Sequence, residues 1–357
     1  MLFGFGRSKR VIGIGLDGMP FSLAQELIDE GIMPNMGRLA EAGGARAIQG
    51  VLPTESNVGW TAFQTGANPG EFGIFGFMEL ETDLAMRIPN ANDVACPTIW
   101  SRMDKAKKTY AALGLPQNWP ARETDSDLVS GFMAPELDER AVSHAKLLET
   151  LRENCYAIDV DETLAVGEPD RFRRDLLSAA RNRRRTALAL LDQRKYDLFF
   201  VHCIETGHLH RYMWDAVGNP NSDRGAFCRQ IYSELDGLIG EVMDHTGKTY
   251  DVMVCSDRGF APLEWGVQLN RWLRDQGYLD YENAPAQAFQ AVRPGSRALS
   301  LAPGRIHILR EGHWRHGAVS EDDYDRVRSE LVGRLQGLRH PETGQVVCRQ
   351  VLRREEA

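Results

Sequence analysis

Residues Val11-Ile-Gly-Ile-Gly-Leu16 form a short apolar run, rich in β-branched residues and glycine, and Asp17-Gly18 follows it directly. Such a run is typical of a strand that is buried on both faces of a parallel sheet. Residues 197–203 and 251–255 repeat the pattern, and segments with helical spacing separate the three runs. Strands that alternate with helices predict a doubly wound α/β fold, with a mostly parallel sheet and helices on both faces.

Bulk composition predicts an ordinary globular protein. The 357 residues are 43% hydrophobic and 26% charged, and the formal net charge is -8. This balance favours solubility and disfavours bulk nucleic-acid binding. No apolar run approaches the roughly 18–20 residues of a membrane-spanning helix, and the six cysteines form no CxxC pair. These features predict a cytoplasmic protein with reduced thiols and no membrane contact.

The pattern along the rest of the chain predicts a single domain, residues 1–357. The spacing of apolar residues predicts helices at 21–30, 35–43, 58–65, 98–106, 143–153, 169–194, 226–245 and 322–338, and further strands at 45–52 and 109–113. Irregular segments at about 78–96 and 117–170 are interpreted as cap-like insertions. The arginines of residues 171–185 fall mostly off the apolar stripe of their helix, which favours a solvated helix face.

Three carboxylates lie just beyond predicted strands. Asp17 ends the first strand, Glu205 follows residues 197–203, and Asp257 follows residues 251–255. In open parallel sheets, ligand sites lie at the carboxyl ends of the strands. Carboxylates gathered there repel one another unless a cation binds between them, and divalent cations accept such ligands. The alternative for each aspartate taken singly is a helix cap or a turn.

Ser56 comes just before the helix predicted at 58–65. A serine in this place is an ordinary N-cap residue, and the same place also offers chemistry. A hydroxyl at a helix N-terminus lies beside free N–H groups and the positive end of the helix dipole, which would stabilise an alkoxide nucleophile and a bound phosphate. Asn57 could donate a hydrogen bond to the same anion.

Three segments carry motifs that are specific when they occur together. They are Ile14-Gly-Leu-Asp17-Gly18, Trp60-Thr-Ala-Phe-Gln-Thr-Gly-Ala-Asn-Pro-Gly70 and Ser256-Asp257-Arg258-Gly259-Phe260. The second is similar to a W-T-x-F-x-T-G-x-N-P-G run and the third to an S-D-H-G-F motif. Together they resemble the type I phosphodiesterase/nucleotide pyrophosphatase group of the alkaline phosphatase superfamily, from about residue 11 to the end. The resemblance implies an alkaline-phosphatase-like α/β core.

The resemblance also implies an activity, namely hydrolysis or group transfer on a small anionic phosphate or sulfate ester. In the group, two divalent metals, often zinc, activate a serine or threonine nucleophile. Carried onto this chain, Ser56 is the nucleophile, and Asn57 and Arg258 support it. One metal would be held by Asp17, Ser56 and Asp257.

The chain departs from the group at most of its metal ligands. Arg258 stands where the group has the histidine of S-D-H-G-F. Where the group has the ligands of T-D-x-x-x-H-x-x-W, the chain has Gly207 and Arg211. One divalent metal site is therefore expected rather than two, and a site without a metal is the alternative.

Four residues are candidate replacements for the lost ligands: Glu205, His208, His210 and His316. His208 and His210 lie just before Arg211, and His316 is followed by glycine as in a late His-Gly of the group. The alternative is that these histidines are ordinary surface or core residues.

Arg258 separates two hypotheses about function. A guanidinium beside Asp257 supplies a fixed positive charge and a bidentate phosphate clamp, but it cannot lower the pKa of water as a metal does. The first hypothesis is a phosphoester hydrolase or transferase. The second is a catalytically impaired member that binds an anionic ligand or a partner chain, with a homo-oligomer or a second chain covering the short C-terminus.

Overall fold

The described residues form one parallel sheet and two small antiparallel ones. The computed structural model describes residues 9–247, 249–281, 289–302 and 304–356. Its strands are β1 (Arg10–Leu16), β2 (Glu79–Leu80), β3 (Met86–Arg87), β4 (Tyr110–Leu115), β5 (Asp127–Ser130), β6 (Leu198–Cys203), β7 (Tyr250–Cys255), β8 (Ala298–Ala302) and β9 (Arg305–Ile308). Its helices are α1 (Phe21–Asp29), α2 (Pro34–Gly43), α3 (Ser56–Thr65), α4 (Pro69–Phe72), α5 (Ile99–Lys105), α6 (Ala145–Glu153), α7 (Leu164–Gly167), α8 (Pro169–Gln193), α9 (Glu205–Tyr212), α10 (Trp214–Val217), α11 (Asp223–Thr246), α12 (Leu269–Asp275) and α13 (Glu321–Gln336).

The central sheet has five strands in the order β5-β4-β6-β1-β7, and every pairing in it is parallel. In register, Gly15 of β1 lies opposite His202 of β6 on one side and opposite Cys255 of β7 on the other. The residues that follow these three strands therefore emerge at one edge of the sheet. The predicted α/β class, with a parallel sheet between helices, is confirmed.

Helices cover both faces of this sheet. On one face, Ile12 and Ile14 of β1 pack in a large apolar core with residues of α1, α8 and α11. On the other face, Trp60 of α3 and Trp100 of α5 pack against Phe200 of β6. Strands β1, β4 and β6 are buried on both faces and are apolar nearly throughout, as the sequence pattern indicated. The predicted burial of residues 251–255 is wrong in part, because β7 is an edge strand in which Asp251 and Met253 are exposed.

Two glycines of β1 allow aromatic rings to approach the strand. A Cβ atom at Gly13 would lie 2.4 Å from the ring of Phe200, and one at Gly15 would lie 2.6 Å from the ring of Trp60. Both rings are almost completely buried. The missing side chains thus let α3 pack directly on β1, and the first residue of α3 is Ser56.

The structure corrects three of the predicted elements. No strand forms at 45–52, where residues 45–49 are exposed and have no sheet to join. The segment predicted as irregular contains β5, a strand of four buried residues that is too short for a clear sequence pattern. Helix α3 begins at Ser56 rather than at residue 58, so Ser56 lies in its first turn and Glu55 is the N-cap residue.

The chain divides into two compact units. The first contains the described residues up to Ile74 together with Asn90–Pro262, and hence the central sheet. The second contains Phe75–Pro89 and the described residues from Leu263 onward. It has its own apolar core, in which Leu273 of α12, Leu299 of β8 and Leu331 of α13 are buried. None of the described helices is both long and apolar enough to cross a membrane.

Candidate active site

Asp17 and Asp257 come together because they follow neighbouring parallel strands. Asp17 directly follows β1, and Asp257 follows β7 by two residues. The backbone N–H of Gly18 donates a hydrogen bond of 2.9 Å to Asp257 Oδ1. The side chains of both aspartates are fully buried. The predicted gathering of these two carboxylates at the sheet edge is thus present in the structure.

The carboxylate of Asp17 is surrounded by donors. Its Oδ2 accepts a very short hydrogen bond from Ser56 Oγ and one of 3.0 Å from Trp60 Nε1, and it lies 3.2 Å from His202 Nε2. Its Oδ1 accepts from Arg258 Nη2 at 3.1 Å. Burial opposes ionisation, but the hydrogen bond from His202 and the charge of Arg258 hold the pKa of Asp17 well below its usual range. Asp17 is therefore an ionised, fully engaged carboxylate.

Ser56 is held against Asp17 by the packing of α3. Only 1% of Ser56 is exposed, and Asn57 beside it is fully buried. A Cβ atom at Gly59 would lie 2.8 Å from Cβ of Asp257, so the glycine permits the first turn of α3 to rest on that aspartate. The hydroxyl of Ser56 thus lies at the N-terminus of α3 and also donates a hydrogen bond to the carboxylate of Asp17.

Arg258 lies between the two aspartates. Its Nη2 donates to Asp17 Oδ1 and its Nε lies 3.7 Å from Asp257 Oδ2. The guanidinium lies over the ring of Phe260, 4.6 Å from the ring centre, and 10% of the side chain is exposed. Gly18, with φ of +61°, makes room for it, because a Cβ atom there would lie 2.5 Å from Nη1. Within the described part of the chain, Arg258 Nη1 is buried without a hydrogen-bond partner.

The two aspartates differ in their electrostatics. Burial, and then the negative charge of Asp17, raise the pKa of Asp257 above its usual range. The difference arises because four donors surround Asp17, whereas Asp257 Oδ2 has no hydrogen-bond partner among the described residues. The pair thus holds one firmly ionised carboxylate, one carboxyl that resists ionisation, and one guanidinium.

The residues around Asp17 and Asp257 do not fit a divalent cation in this arrangement. Such an ion needs oxygen or nitrogen ligands at about 2.0–2.6 Å. Both oxygens of Asp17 already accept from protein donors, and the guanidinium of Arg258 lies between the two carboxylates. A Cβ atom at Gly207, where the related group has an aspartate, would lie 2.4 Å from Asp17 Oδ1. The donor set fits an arginine.

Glu205 also lies at this sheet edge but is engaged elsewhere. Its Oε1 accepts from Arg183 Nε at 2.8 Å, and both side chains are almost completely buried. Arg183 Nη1 also donates to the hydroxyl of Tyr156 at 2.7 Å. The predicted solvated face of residues 171–185 is therefore wrong at Arg183, which lies on the apolar stripe of α8 between Ala180 and Ala187.

His208 lies in a separate group. Its Nε2 is 2.5 Å from Asp159 Oδ1, and its Nδ1 is 3.6 Å from Glu162 Oε1. These three side chains form a group close enough to share a cation. Both oxygens of Glu162 also accept from Arg211 Nη1 at 3.0 Å. Burial tends to lower the pKa of His208, but the hydrogen bond and charge of Asp159 raise it above its usual value.

His210 approaches the site without turning a free nitrogen toward it. Its Nδ1 lies 3.0 Å from the carbonyl oxygen of Gly18, and its Nε2 lies 2.9 Å from the hydroxyl of Tyr232. Burial lowers the pKa of His210 to about 4. His316 belongs to the second unit, where its Nε2 accepts from Arg315 Nε at 3.2 Å. The ligand roles of Glu205, His208, His210 and His316 stay predictions.

Two residues that contact Asp17, namely Trp60 and His202, were not predicted as site residues from the sequence. Trp60 was noted only as part of a motif, although its position one turn after Ser56 places its ring on the same helix side. His202 is the penultimate residue of β6, and its Nδ1 lies 2.8 Å from the carbonyl oxygen of Gly114. A polar residue inside an apolar strand was the available signal.

Comparisons with known proteins agree with this fold. Two crystal structures of phosphonoacetate hydrolase from Sinorhizobium meliloti 1021, with phosphonoformate and with phosphonoacetate, superpose with a TM-score of 0.59 each. Their sequence identities are 15% and 17%, and each match covers 94% of this chain and 76% of that one. At such low identity the likeness concerns the fold alone. No curated protein matches the chain.

The fold and the carboxylates at its strand ends define an α/β protein of the alkaline phosphatase type. A family model, type I phosphodiesterase/nucleotide pyrophosphatase, matches residues 11–357. The chain therefore belongs to this family, as its motifs indicated. Membership places it among the hydrolases of the alkaline phosphatase superfamily, and it supports phosphoester hydrolysis as the class of reaction.

Proposed function

We propose that this protein cleaves a small anionic phosphoester, or transfers its phosphoryl group, with Ser56 as the nucleophile. The observation that carries the proposal is a shared carboxylate. Ser56 Oγ donates a hydrogen bond to one oxygen of Asp17, and Arg258 Nη2 donates to the other. A nucleophile and a cation are thus held side by side, and both are rigidly packed.

The chemistry follows from this arrangement. As a bond forms between Ser56 Oγ and phosphorus, the bond to the leaving oxygen breaks on the opposite side of phosphorus. The hydroxyl proton passes to Asp17 Oδ2, and the leaving oxygen takes a proton from solvent. The low pKa of Asp17 makes it a weak base. Phosphoryl transfer tolerates this because its transition state is loose and needs charge stabilisation more than a strong base. Water, or another acceptor, then takes the phosphoryl group from Ser56 and gives up its proton to solvent, while Asp17 returns its proton to Ser56 Oγ.

Two groups stabilise the developing charge. The positive end of the α3 dipole lies at Ser56, the first residue of the helix, and favours an anion there. Arg258 Nη1, buried and without an acceptor among the described residues, donates to an oxygen of the phosphoryl group. The guanidinium geometry suits phosphate and sulfate oxygens alike, so a sulfate ester is the neighbouring substrate class.

The test is a panel of aryl phosphate monoesters, phosphate diesters and sulfate esters, assayed with the wild-type protein and with Ser56→Ala. We expect turnover to fall to background in Ser56→Ala and to survive partly in Ser56→Thr, which keeps a hydroxyl. Acid quenching followed by peptide mass spectrometry should find a phosphoryl group on Ser56. Equal turnover in wild type and Ser56→Ala, at unchanged melting temperatures, would exclude Ser56. Ligand binding without turnover would favour an anion-binding protein instead.

A further inference from the structure

We infer that Arg258 is a built-in cation, which takes the place of a divalent metal between Asp17 and Asp257. Members of this family use divalent metals, so the inference separates this chain from its relatives. It goes beyond the proposed function, because it concerns which cation lies between Asp17 and Asp257, and it holds whether or not Ser56 turns over a substrate.

Asp17 and Asp257 lie at the ends of neighbouring strands, and the buried charge of an ionised carboxylate there needs a positive charge beside it. Arg258 supplies that charge from the residue directly after Asp257, with Nη2 at 3.1 Å from Asp17 and Nε at 3.7 Å from Asp257. An arginine remains charged in any protein environment, so the pair carries its own cation permanently.

The surroundings of Arg258 fit a guanidinium. The planar group lies over Phe260, whose ring face attracts cations. Gly18 has no side chain where one would collide with Nη1. The guanidinium thus contacts the Phe260 ring and both aspartates, and the missing side chain of Gly18 leaves room for it.

The residues around the two aspartates offer few further metal ligands. A divalent ion held by two carboxylates would still need further donors to complete four or more ligands. Gly207 offers no side chain and approaches Asp17 too closely to accept one. Both ring nitrogens of His210 are within hydrogen-bond distance of other groups, the carbonyl oxygen of Gly18 and the hydroxyl of Tyr232. The residues at positions 207 and 258 are therefore consistent with each other. Gly207 leaves no room for the aspartate ligand of the related group, and Arg258 supplies a positive charge in place of the metal.

Metal binding by the wild-type protein gives the first test. Isothermal titration with zinc and with manganese should detect no binding that depends on Asp257. His208→Gln serves as the control, since the Asp159, Glu162 and His208 group could bind zinc on its own. Stoichiometric binding that survives in His208→Gln and disappears in Asp257→Asn would overturn the inference.

Removal of the cation gives the second test. Arg258→Ala should lower the melting temperature, and millimolar methylguanidinium should restore part of the loss, whereas equal urea should not. Arg271→Ala, at an exposed pair with Asp275, should show neither effect. If zinc restores the melting temperature of Arg258→Ala and methylguanidinium does not, the site does not have the shape of a guanidinium.

If Arg258→Ala fails to fold, the wild-type titration still decides. Neither metal binding nor the melting temperature depends on turnover by Ser56. A negative result for Arg258 can therefore be told apart from a negative result for Ser56 as the nucleophile.

Discussion

Arg258 donates a hydrogen bond of 3.1 Å to Asp17, although the two residues are 241 positions apart in the chain. The contact joins the end of β1 to the end of the neighbouring β7. It gives the site its particular electrostatic state, with one fixed positive charge next to a carboxylate that stays ionised. The position of Ser56 on the same carboxylate makes this contact the centre of the proposed chemistry.

The first prediction concerns the close approach of α9 to Asp17. Gly207→Ala would place a Cβ atom 2.4 Å from Asp17 Oδ1. We expect overpacking to lower the free energy of unfolding by about 1–3 kcal/mol and to reduce any turnover that depends on Ser56. Gly218→Ala is the matched control, since nothing lies within 4 Å of its added methyl. Urea denaturation of both variants measures the difference, and equal midpoints would contradict the account.

The second prediction concerns the buried ion pair of Arg183 and Glu205. Arg183→Met leaves the carboxylate of Glu205 buried without its cation, which should cost about 3–5 kcal/mol of unfolding free energy. Arg181→Met removes an arginine whose side chain is 53% exposed and which pairs with Glu234. That change should cost about 0–1 kcal/mol. If the two variants have the same denaturation midpoint, the burial of Arg183 is not as described.

The third prediction concerns pH. Although burial opposes it, Asp159 raises the pKa of His208 above its ordinary value of 6.5 in the folded protein. The other charged groups facing it are Glu162 and Arg211. Because the folded-state pKa exceeds the unfolded one, the stabilisation is complete below 6.5 and is lost as the pH rises through the folded-state pKa.

The measurement for this third prediction is urea denaturation at a series of pH values on both sides of 6.5. His208→Gln should flatten this part of the stability profile. His245→Gln, at a half-exposed histidine of α11, should leave it unchanged. A wild-type profile that rises with pH in the same window would contradict a protonated His208.

Much of the site follows from sequence because strand ends are a local signal. Apolar runs locate the strands of a parallel sheet, and their carboxyl ends share one edge. Asp17 and Asp257 are therefore predictable as neighbours. Ser56 follows from its place at a helix start, and Arg258 follows Asp257 directly. The resemblance to the family then assigned their expected roles.

The remaining contacts depend on packing that no local pattern encodes. Arg183 could be found only by noticing that it lies on the apolar stripe of α8, where a charged residue needs a buried partner. The partner, Glu205, is 22 residues away. His208 and His210 lie in one helix turn, yet they contact Asp159 and Gly18 respectively. Which side of α9 faces which loop is set by tertiary packing rather than by spacing.

The most direct test of the central claim is a crystal structure of the wild-type protein grown with zinc, with anomalous data collected at the zinc edge. If Arg258 replaces the metal, there will be no anomalous peak between Asp17 and Asp257, and the density there will be that of the Arg258 guanidinium. A peak within about 2.0–2.6 Å of both carboxylates, with Arg258 turned away, would contradict it.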